Sequence, residues 1–152
     1  MKKISIYFVL LMVVSFLGTS CSQKSNAVEN AISKNIDGAT FKKMMEDGRL
    51  VAIDVRKPAE RLSDNMFPDL KKPYGYITAT QLNIDWKDQA LFKAEMAKLD
   101  KSKAYGVYCR SGKRSANALA AMKDMGFEEV YNLLGGMKGW LKAGYPNTVV
   151  PK

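Results

Sequence analysis

The spacing of apolar residues changes several times along the chain, from every third or fourth position to short continuous runs. The first spacing is typical of helices with one buried face, and the continuous runs are typical of buried parallel strands. The alternation of the two predicts a three-layer α/β domain, with a mostly parallel central sheet flanked by helices. The predicted helices span residues 40–48, 88–99, 115–126 and 135–144, and the predicted strands span residues 50–55, 79–84, 104–108 and 128–134. The helix over residues 88–99 is expected to bury Leu91, Phe92, Met96 and Leu99.

Two polar segments directly follow predicted strands. Asp54-Val55-Arg56 closes the strand over residues 50–55, and Cys109 follows the strand over residues 104–108. In a parallel sheet, ligands bind beyond the carboxyl ends of the strands, where loops lead into helices. We therefore expect the two segments to meet at one site.

The first residues have the features of an export signal. Lys2 and Lys3 precede an apolar stretch over residues 4–17, which is shorter than the roughly 20 residues that a membrane-spanning helix needs. The pattern predicts a signal peptide over residues 1–20, cleaved before Cys21. Residues 17–21 resemble the lipobox of bacterial lipoproteins, and this resemblance implies that Cys21 is lipidated.

The rest of the chain divides into a tether and a domain. Residues 21–35 are polar and predict a tether, and residues 36–152 form the predicted domain. We expect the protein to be exported and held by its lipid on a bacterial membrane, with the domain in the periplasm or at the cell surface. A secreted protein in which Cys21 has no role is the alternative.

Composition and charge limit the classes of function. The chain has 152 residues and 47% hydrophobic composition, enough for one domain, and a net charge of +9. Without an aromatic-interleaved basic stripe, a solvated basic surface is favoured over nucleic-acid binding. The chain contains no histidine, which excludes histidine-built zinc sites and Ser-His or Cys-His catalysis within it. No metal or organic cofactor is predicted.

Cys109 lies at the start of a strongly basic loop. Arg110, Lys113 and Arg114 follow it closely, and Gly112 allows the loop to curl so that its N–H groups converge. Such a site stabilises a thiolate and lowers the pKa of the thiol, and it also suits a persulfide and an anionic donor. An inert buried cysteine is the alternative interpretation.

Three segments resemble the signatures of the rhodanese-homology family: "VAIDVRKPAE", "YCRSGKRSANAL" and "VYNLLGGMKGWLKAGYP". The resemblance covers about residues 36–146. It implies a sulfurtransferase in which Cys109 takes a sulfane sulfur from a donor such as thiosulfate and passes it to a thiophilic acceptor, cyanide or a thiol; any protein acceptor is unknown. The matching substrate-binding and cradle residues are Arg110, Ser111, Gly112, Lys113, Arg114 and Ser115.

Other residues around the predicted site have two interpretations each. Asp54 and Arg56 either contact substrate or form a supporting network with Glu60; the network is favoured, because a buried charge needs a partner. Residues 61–74 are longer than the usual family link, and form either a lid carrying Met66 and Phe67 or an uninvolved surface loop. Trp140 and Met137 are interpreted as packing residues of the last helix.

Three rival functions remain open. A phosphatase or arsenate reductase would use the same fold and thiolate, but cysteine phosphatases have an arginine six positions after the cysteine, where this chain has Ser115. A non-catalytic binding module is less favoured, because Cys109 and its basic loop are intact. A persulfide carrier that serves one dedicated protein is compatible with the sequence.

Overall fold

The computed structural model describes residues 31–62 and 75–149. Its strands are β1 (Ile32–Ile36), β2 (Val51–Asp54), β3 (Tyr76–Ile77), β4 (Leu82–Asn83), β5 (Ala104–Tyr108), β6 (Glu129–Leu133) and β7 (Asn147–Thr148). Its helices are α1 (Gly38–Glu46), α2 (Pro58–Arg61), α3 (Gln89–Met96), α4 (Lys113–Asp124) and α5 (Gly136–Lys142). Five strands form one parallel sheet in the order β1-β6-β5-β2-β4, and β3 pairs with β7 in an antiparallel ribbon. The predicted α/β fold with a mostly parallel sheet flanked by helices is confirmed.

The sheet separates two apolar cores. One core contains Phe41 of α1 and Trp140 of α5, and the other contains Phe92 of α3 and Met122 of α4. Strand β5 contributes to both, because side chains alternate between the faces of a strand. This two-sided burial explains why the central strands are continuous apolar runs in the sequence.

Aspartates begin two of the helices. The Asp37 carboxylate accepts a hydrogen bond from the N–H of Thr40 at 2.9 Å, and the Asp88 carboxylate accepts one from the N–H of Leu91 at 2.9 Å. Both satisfy N–H groups that the first turn of a helix leaves without partners. Helix α4 begins differently, after Gly112 with φ +93°, so it starts at Lys113 and not at the predicted Ser115.

Two predictions are corrected by the fold. Residues 32–36, which the sequence analysis places mostly in the tether, form the edge strand β1 beside β6. An edge strand with solvent on its outer side needs few apolar residues, and this one carries Ser, Lys and Asn. Leu91 is 44% exposed, because each helical residue turns by about 100° and this places it beside, not on, the face of Phe92 and Met96.

Several sequence predictions lie outside the described residues. They are the signal peptide, the lipidation site Cys21, the tether before residue 31, and the segment 63–74 with Met66 and Phe67. Within residues 31–62 and 75–149, no helix is long and apolar enough to cross a membrane.

Candidate active site

The carboxyl ends of β2 and β5 lie side by side, as the sequence predicts. Asp54 pairs with Tyr108 in the register of the two strands, and the N–H of Val55 donates to the carbonyl of Tyr108 at 2.9 Å. Cys109, which follows Tyr108, therefore emerges next to the Asp54-Val55-Arg56 segment.

The sulfur of Cys109 faces the interior of a tight loop. The N–H of Gly112 donates to Sγ at 3.2 Å, and the hydroxyl of Ser115 donates to it at 3.5 Å. Cys109 is 1% exposed. Residues 109–115, called the cradle from here on, thus surround the sulfur with hydrogen-bond donors.

Helix α5 explains why the N–H groups of the cradle point inward. The N–H of Met137 donates to the carbonyl of Cys109 at 2.8 Å, and the N–H of Lys138 donates to the carbonyl of Arg110 at 3.0 Å. The carbonyls of Cys109 and Arg110 are therefore turned away from the sulfur, toward the start of α5. A Cβ on Gly136 would lie 2.5 Å from the carbonyl oxygen of Cys109 and 2.7 Å from the nitrogen of Gly112, so only glycine allows this approach.

Sequence analysis missed this supporting role of α5. Gly135 and Gly136 stand at the start of the predicted helix over residues 135–144, and two adjacent glycines at a helix start are a signal for close backbone contact. Met137 and Trp140 are buried in the core beneath this contact, and their interpretation as packing residues is confirmed.

The environment of Cys109 favours its thiolate. Burial raises the pKa of the thiol, but hydrogen bonds from the Ser115 hydroxyl and from the N–H groups of Ser115, Ser111 and Gly112 together outweigh it. The net effect is a Cys109 pKa below its ordinary value, as predicted from the loop. A lowered pKa raises the thiolate fraction, and the thiolate is the nucleophilic form.

A basic pocket of about 540 Å³ lies over the cradle. It is lined by Lys57, Glu60, Lys87, Arg110, Ser111, Lys113 and Arg114. The predicted residues Arg110, Ser111, Lys113 and Arg114 therefore lie together at one opening, while Gly112 and Ser115 are buried beneath it. Lys57 and Lys87 were missed by the sequence analysis; Lys57 follows Arg56 directly, but no signal in the sequence marks Lys87.

Glu60 forms a two-pronged ion pair with Arg114, with N–O distances of 2.6 and 2.7 Å. The hydrogen bond from Arg114 is the main reason that the pKa of Glu60 lies below its ordinary value, and the same bond raises the pKa of Arg114. The pair links α2 to α4 across the pocket, and Arg114 also interacts favourably with an ionised Cys109. The charge of Arg56 also lowers the pKa of Glu60, which links Glu60 electrostatically to the predicted network with Asp54 and Arg56.

Asp54 and Arg56 form a separate, fully buried pair. The Nε of Arg56 lies 2.8 Å from a carboxylate oxygen of Asp54, and its Nη2 donates to the carbonyl of Gly75 at 2.9 Å. The side chain of Asn83 donates to the backbone carbonyls of both residues at 2.8 Å. Neither Asp54 nor Arg56 is among the residues that line this pocket.

The described residues contain no cluster of three or more His, Cys, Asp or Glu side chains that could hold a metal ion. The cradle and the pocket bring together one thiol, its N–H donors and several cations. This combination suits a reaction in which the thiolate attacks an anionic partner and takes a group from it.

A cradled thiolate between a parallel strand and a helix, with cations at its opening, defines a thiol-based anion site on an α/β sheet. The family model described as the rhodanese-like domain matches residues 37–143 of this chain. The chain therefore belongs to the rhodanese-like domain family.

Individual proteins show the same similarity. A sulfurtransferase of Allochromatium vinosum is 31% identical over 112 residues, which cover 73% of this chain and 91% of that protein. The thiosulfate sulfurtransferase GlpE of Coxiella burnetii is 41% identical over 51 residues, which cover 34% of this chain and 47% of that protein. A rhodanese-related protein from Thermoplasma volcanium superposes with a TM-score of 0.61 at 25% identity, covering 77% of this chain and 99% of that one. Fold and sequence thus agree on the family.

Proposed function

We propose that the protein transfers a sulfane sulfur from a donor such as thiosulfate to a thiophilic acceptor through a persulfide on Cys109. The rhodanese-like domain and the relatives named sulfurtransferases support sulfurtransferase activity in general. The observation that carries the finer proposal is the position of Cys109 Sγ among the donors of the cradle, 3.2 Å from the N–H of Gly112.

The reaction divides into two displacements. The Cys109 thiolate attacks the outer sulfur of thiosulfate, the S–S bond of the donor breaks, and sulfite leaves with the bonding electron pair. The cysteine then carries a persulfide with one negative charge, as the thiolate did. Cyanide or a thiolate attacks the outer sulfur, forms thiocyanate or a new persulfide, and restores the Cys109 thiolate.

The same donors serve each stage of this cycle. The N–H groups are fixed by backbone geometry and need no reorganisation when Cys109 gains or loses the outer sulfur. This lowers the barrier for steps in which negative charge moves. The basic pocket attracts the anionic donor and sets its approach to the sulfur.

A steady-state assay of thiocyanate formation from thiosulfate and cyanide tests the proposal. Wild type should turn over, and Cys109→Ser should fall to background, because an alkoxide is not available at neutral pH. Ser102→Ala, in the exposed turn before β5, is the control and should keep full activity. Equal rates of thiocyanate formation for wild type and Cys109→Ser would reject the mechanism. If the protein hydrolyses an aryl phosphate and Cys109→Ser does not, the rival phosphatase function is supported.

We also propose, from the lipobox-like residues 17–21, that the protein is exported and anchored to a bacterial membrane through lipid on Cys21. The domain would then act outside the cytoplasm, on donors and acceptors present there. Labelled palmitate should enter wild type and Cys109→Ser, which retains Cys21, and should not enter Cys21→Ala. Labelling of Cys21→Ala, or absence of label from wild type in an expressing bacterium, would reject the anchor.

A further inference from the structure

The pocket over the cradle carries more positive charge than the reacting sulfur requires. Its lining contains five cationic side chains and one carboxylate, and that carboxylate, Glu60, is already paired with Arg114. The amines of Lys57, Lys87 and Lys113 form no salt bridge with any residue of the described ranges. Among the described residues, these three amines line one pocket without a salt-bridge partner, and such a set of cations attracts an anion.

Two of these lysines come from outside the cradle and are held at defined places. The N–H of Lys57 donates to Glu60 at 3.1 Å, which ties it to the Glu60–Arg114 pair. The N–H of Lys87 donates to the carboxylate of Asp85 at 2.8 Å, next to Trp86, whose N–H donates to the carbonyl of Val55 at 3.2 Å. The backbones of Lys57 and Lys87 are thus both fixed near the carboxyl end of β2.

The volume of the pocket points in the same direction. At about 540 Å³, it lies in the range of sites that hold organic ligands and exceeds what a small inorganic sulfur anion fills. An inorganic donor at the cradle leaves Lys57 and Lys87 with no salt-bridge partner among the described residues. A ligand that contacts both the cradle and these lysines places its sulfur at Cys109 and carries its negative groups several atoms away from that sulfur.

We propose that Lys57 and Lys87 form a second anion subsite at the outer wall of the pocket, which selects acceptor thiols that carry carboxylate groups. This inference rests on the proposed persulfide of Cys109. The thiolate of the acceptor attacks the outer sulfur, the Cys109 S–S bond breaks, and the Cys109 thiolate leaves with the electron pair while the acceptor becomes a persulfide. Both reactants are anions, and the lysines reduce their repulsion and hold the carboxylates of the acceptor.

A single-turnover experiment isolates this step. The full chain, purified in a non-ionic detergent, is loaded with thiosulfate, freed from excess donor and mixed with either mercaptosuccinate, a dicarboxylate thiol, or 2-mercaptoethanol, a neutral one. The rate of persulfide discharge is measured against thiol concentration. The compared proteins are wild type, Lys57→Gln/Lys87→Gln, and the control Lys93→Gln/Lys103→Gln, which removes the same charge from two exposed lysines that do not line the pocket.

The double substitution in the pocket should raise the half-saturating concentration of mercaptosuccinate about tenfold, with little change in the maximal rate. Discharge by 2-mercaptoethanol should change by less than about twofold, and the control should match wild type with both thiols. High salt should reduce the preference of wild type for mercaptosuccinate, because screening weakens exposed charges.

Other results have distinct meanings. If thiosulfate loads no persulfide onto Cys109 of wild type, the proposed function itself fails with this donor. If the persulfide forms, two results reject the subsite while the proposed function stands. In the first, the pocket variant discharges the persulfide to both thiols at the wild-type rates. In the second, its discharge rates with the two thiols fall to the same degree.

Discussion

Two arginine–carboxylate pairs lie at the same edge of the sheet and differ in their access to solvent. Arg56 and Asp54 are both 0% exposed, whereas Arg114 and Glu60 are 21% and 18% exposed. The buried pair binds the backbone of Gly75 and the side chain of Asn83. The half-buried pair lines the pocket beside Cys109.

The difference shows how one ion-pair chemistry serves two purposes. A buried pair gains little net stability over apolar packing, but loss of one partner leaves a charge in the interior and costs much. A pair at a pocket wall costs little to break, since water can replace the lost partner. Substitutions at the first pair should therefore act on folding, and substitutions at the second should act on turnover.

The largest effect is expected from Asp54→Ala. Removal of the carboxylate leaves the Arg56 guanidinium buried without its main partner, and should lower the free energy of unfolding by about 3–5 kcal/mol. Urea unfolding measures the loss. Glu46→Ala is the matched control, because Glu46 is 60% exposed and pairs with Lys42 on the surface of α1; it should cost less than about 1 kcal/mol. Similar losses for the two variants would contradict the assignment of Asp54 to the fold.

A backbone substitution behind the cradle comes second. Gly136 has φ +53° and no room for a Cβ against the backbone of Cys109 and Gly112, whereas Gly144 has φ +75° and open space around it. Both alanine variants should lose about 1 kcal/mol of unfolding free energy, because alanine disfavours a left-handed backbone. Only Gly136→Ala should lose a further ~2 kcal/mol or more, because its Cβ meets the cradle, and only this variant should raise the pKa of Cys109. Equal unfolding energies and equal alkylation profiles would show that α5 does not support the cradle.

The half-buried pair is tested by Glu60→Gln. This variant should lose only about 1 kcal/mol of stability, but kcat/KM for thiosulfate should fall several-fold, because Arg114 is no longer held in place beside Cys109. The pKa of Glu60 is lowered in the folded protein, so its contribution to stability is present above the pKa of an unfolded glutamate and is lost as pH falls through the folded value. The stability difference between wild type and variant should therefore shrink from about pH 7 to about pH 3. A pH-independent difference would exclude the ion pair as its cause.

The smallest expected effect is that of Ser115→Ala. The Ser115 hydroxyl lies 3.5 Å from Cys109 Sγ and 3.1 Å from the carbonyl oxygen of Gly112, and its one proton can be donated to either acceptor. Its removal should raise the pKa of Cys109 and slow iodoacetamide alkylation below that pKa a few-fold. Ser111→Ala keeps the backbone N–H that faces the sulfur and should leave the alkylation profile near that of wild type. Identical profiles for Ser115→Ala and wild type would leave the N–H groups as the stabilising donors.

Hydrophobic patterning was sufficient to predict the central part of the fold. Strands β2 and β5 are buried on both faces and appear as continuous apolar runs, and the helices α1, α3 and α4 carry periodic apolar faces. The elements that were missed are β1, α2, β3 and β7. Strand β1 is a polar edge, and the other three have four residues or fewer, which is too short for a periodic signal.

The candidate site divides in a similar way. The position of Cys109 after a strand, with Gly112 and three cations behind it, was enough to predict the cradle and the lowered pKa of the thiol. The partner of Arg114 was not predictable, because Glu60 is 54 positions away in sequence and only tertiary packing brings the two side chains together. Lys87 reaches the pocket only because the chain after β4 returns to the end of β2.

Intact mass spectrometry after treatment with thiosulfate tests the central claim most directly. Wild type should gain the mass of one sulfur atom, about 32 Da, which cyanide removes with release of thiocyanate, and Cys109→Ser should gain nothing. A wild type that takes up no sulfur from thiosulfate or from any other sulfane donor, or a Cys109→Ser variant that takes up as much as wild type, would contradict sulfur transfer through Cys109.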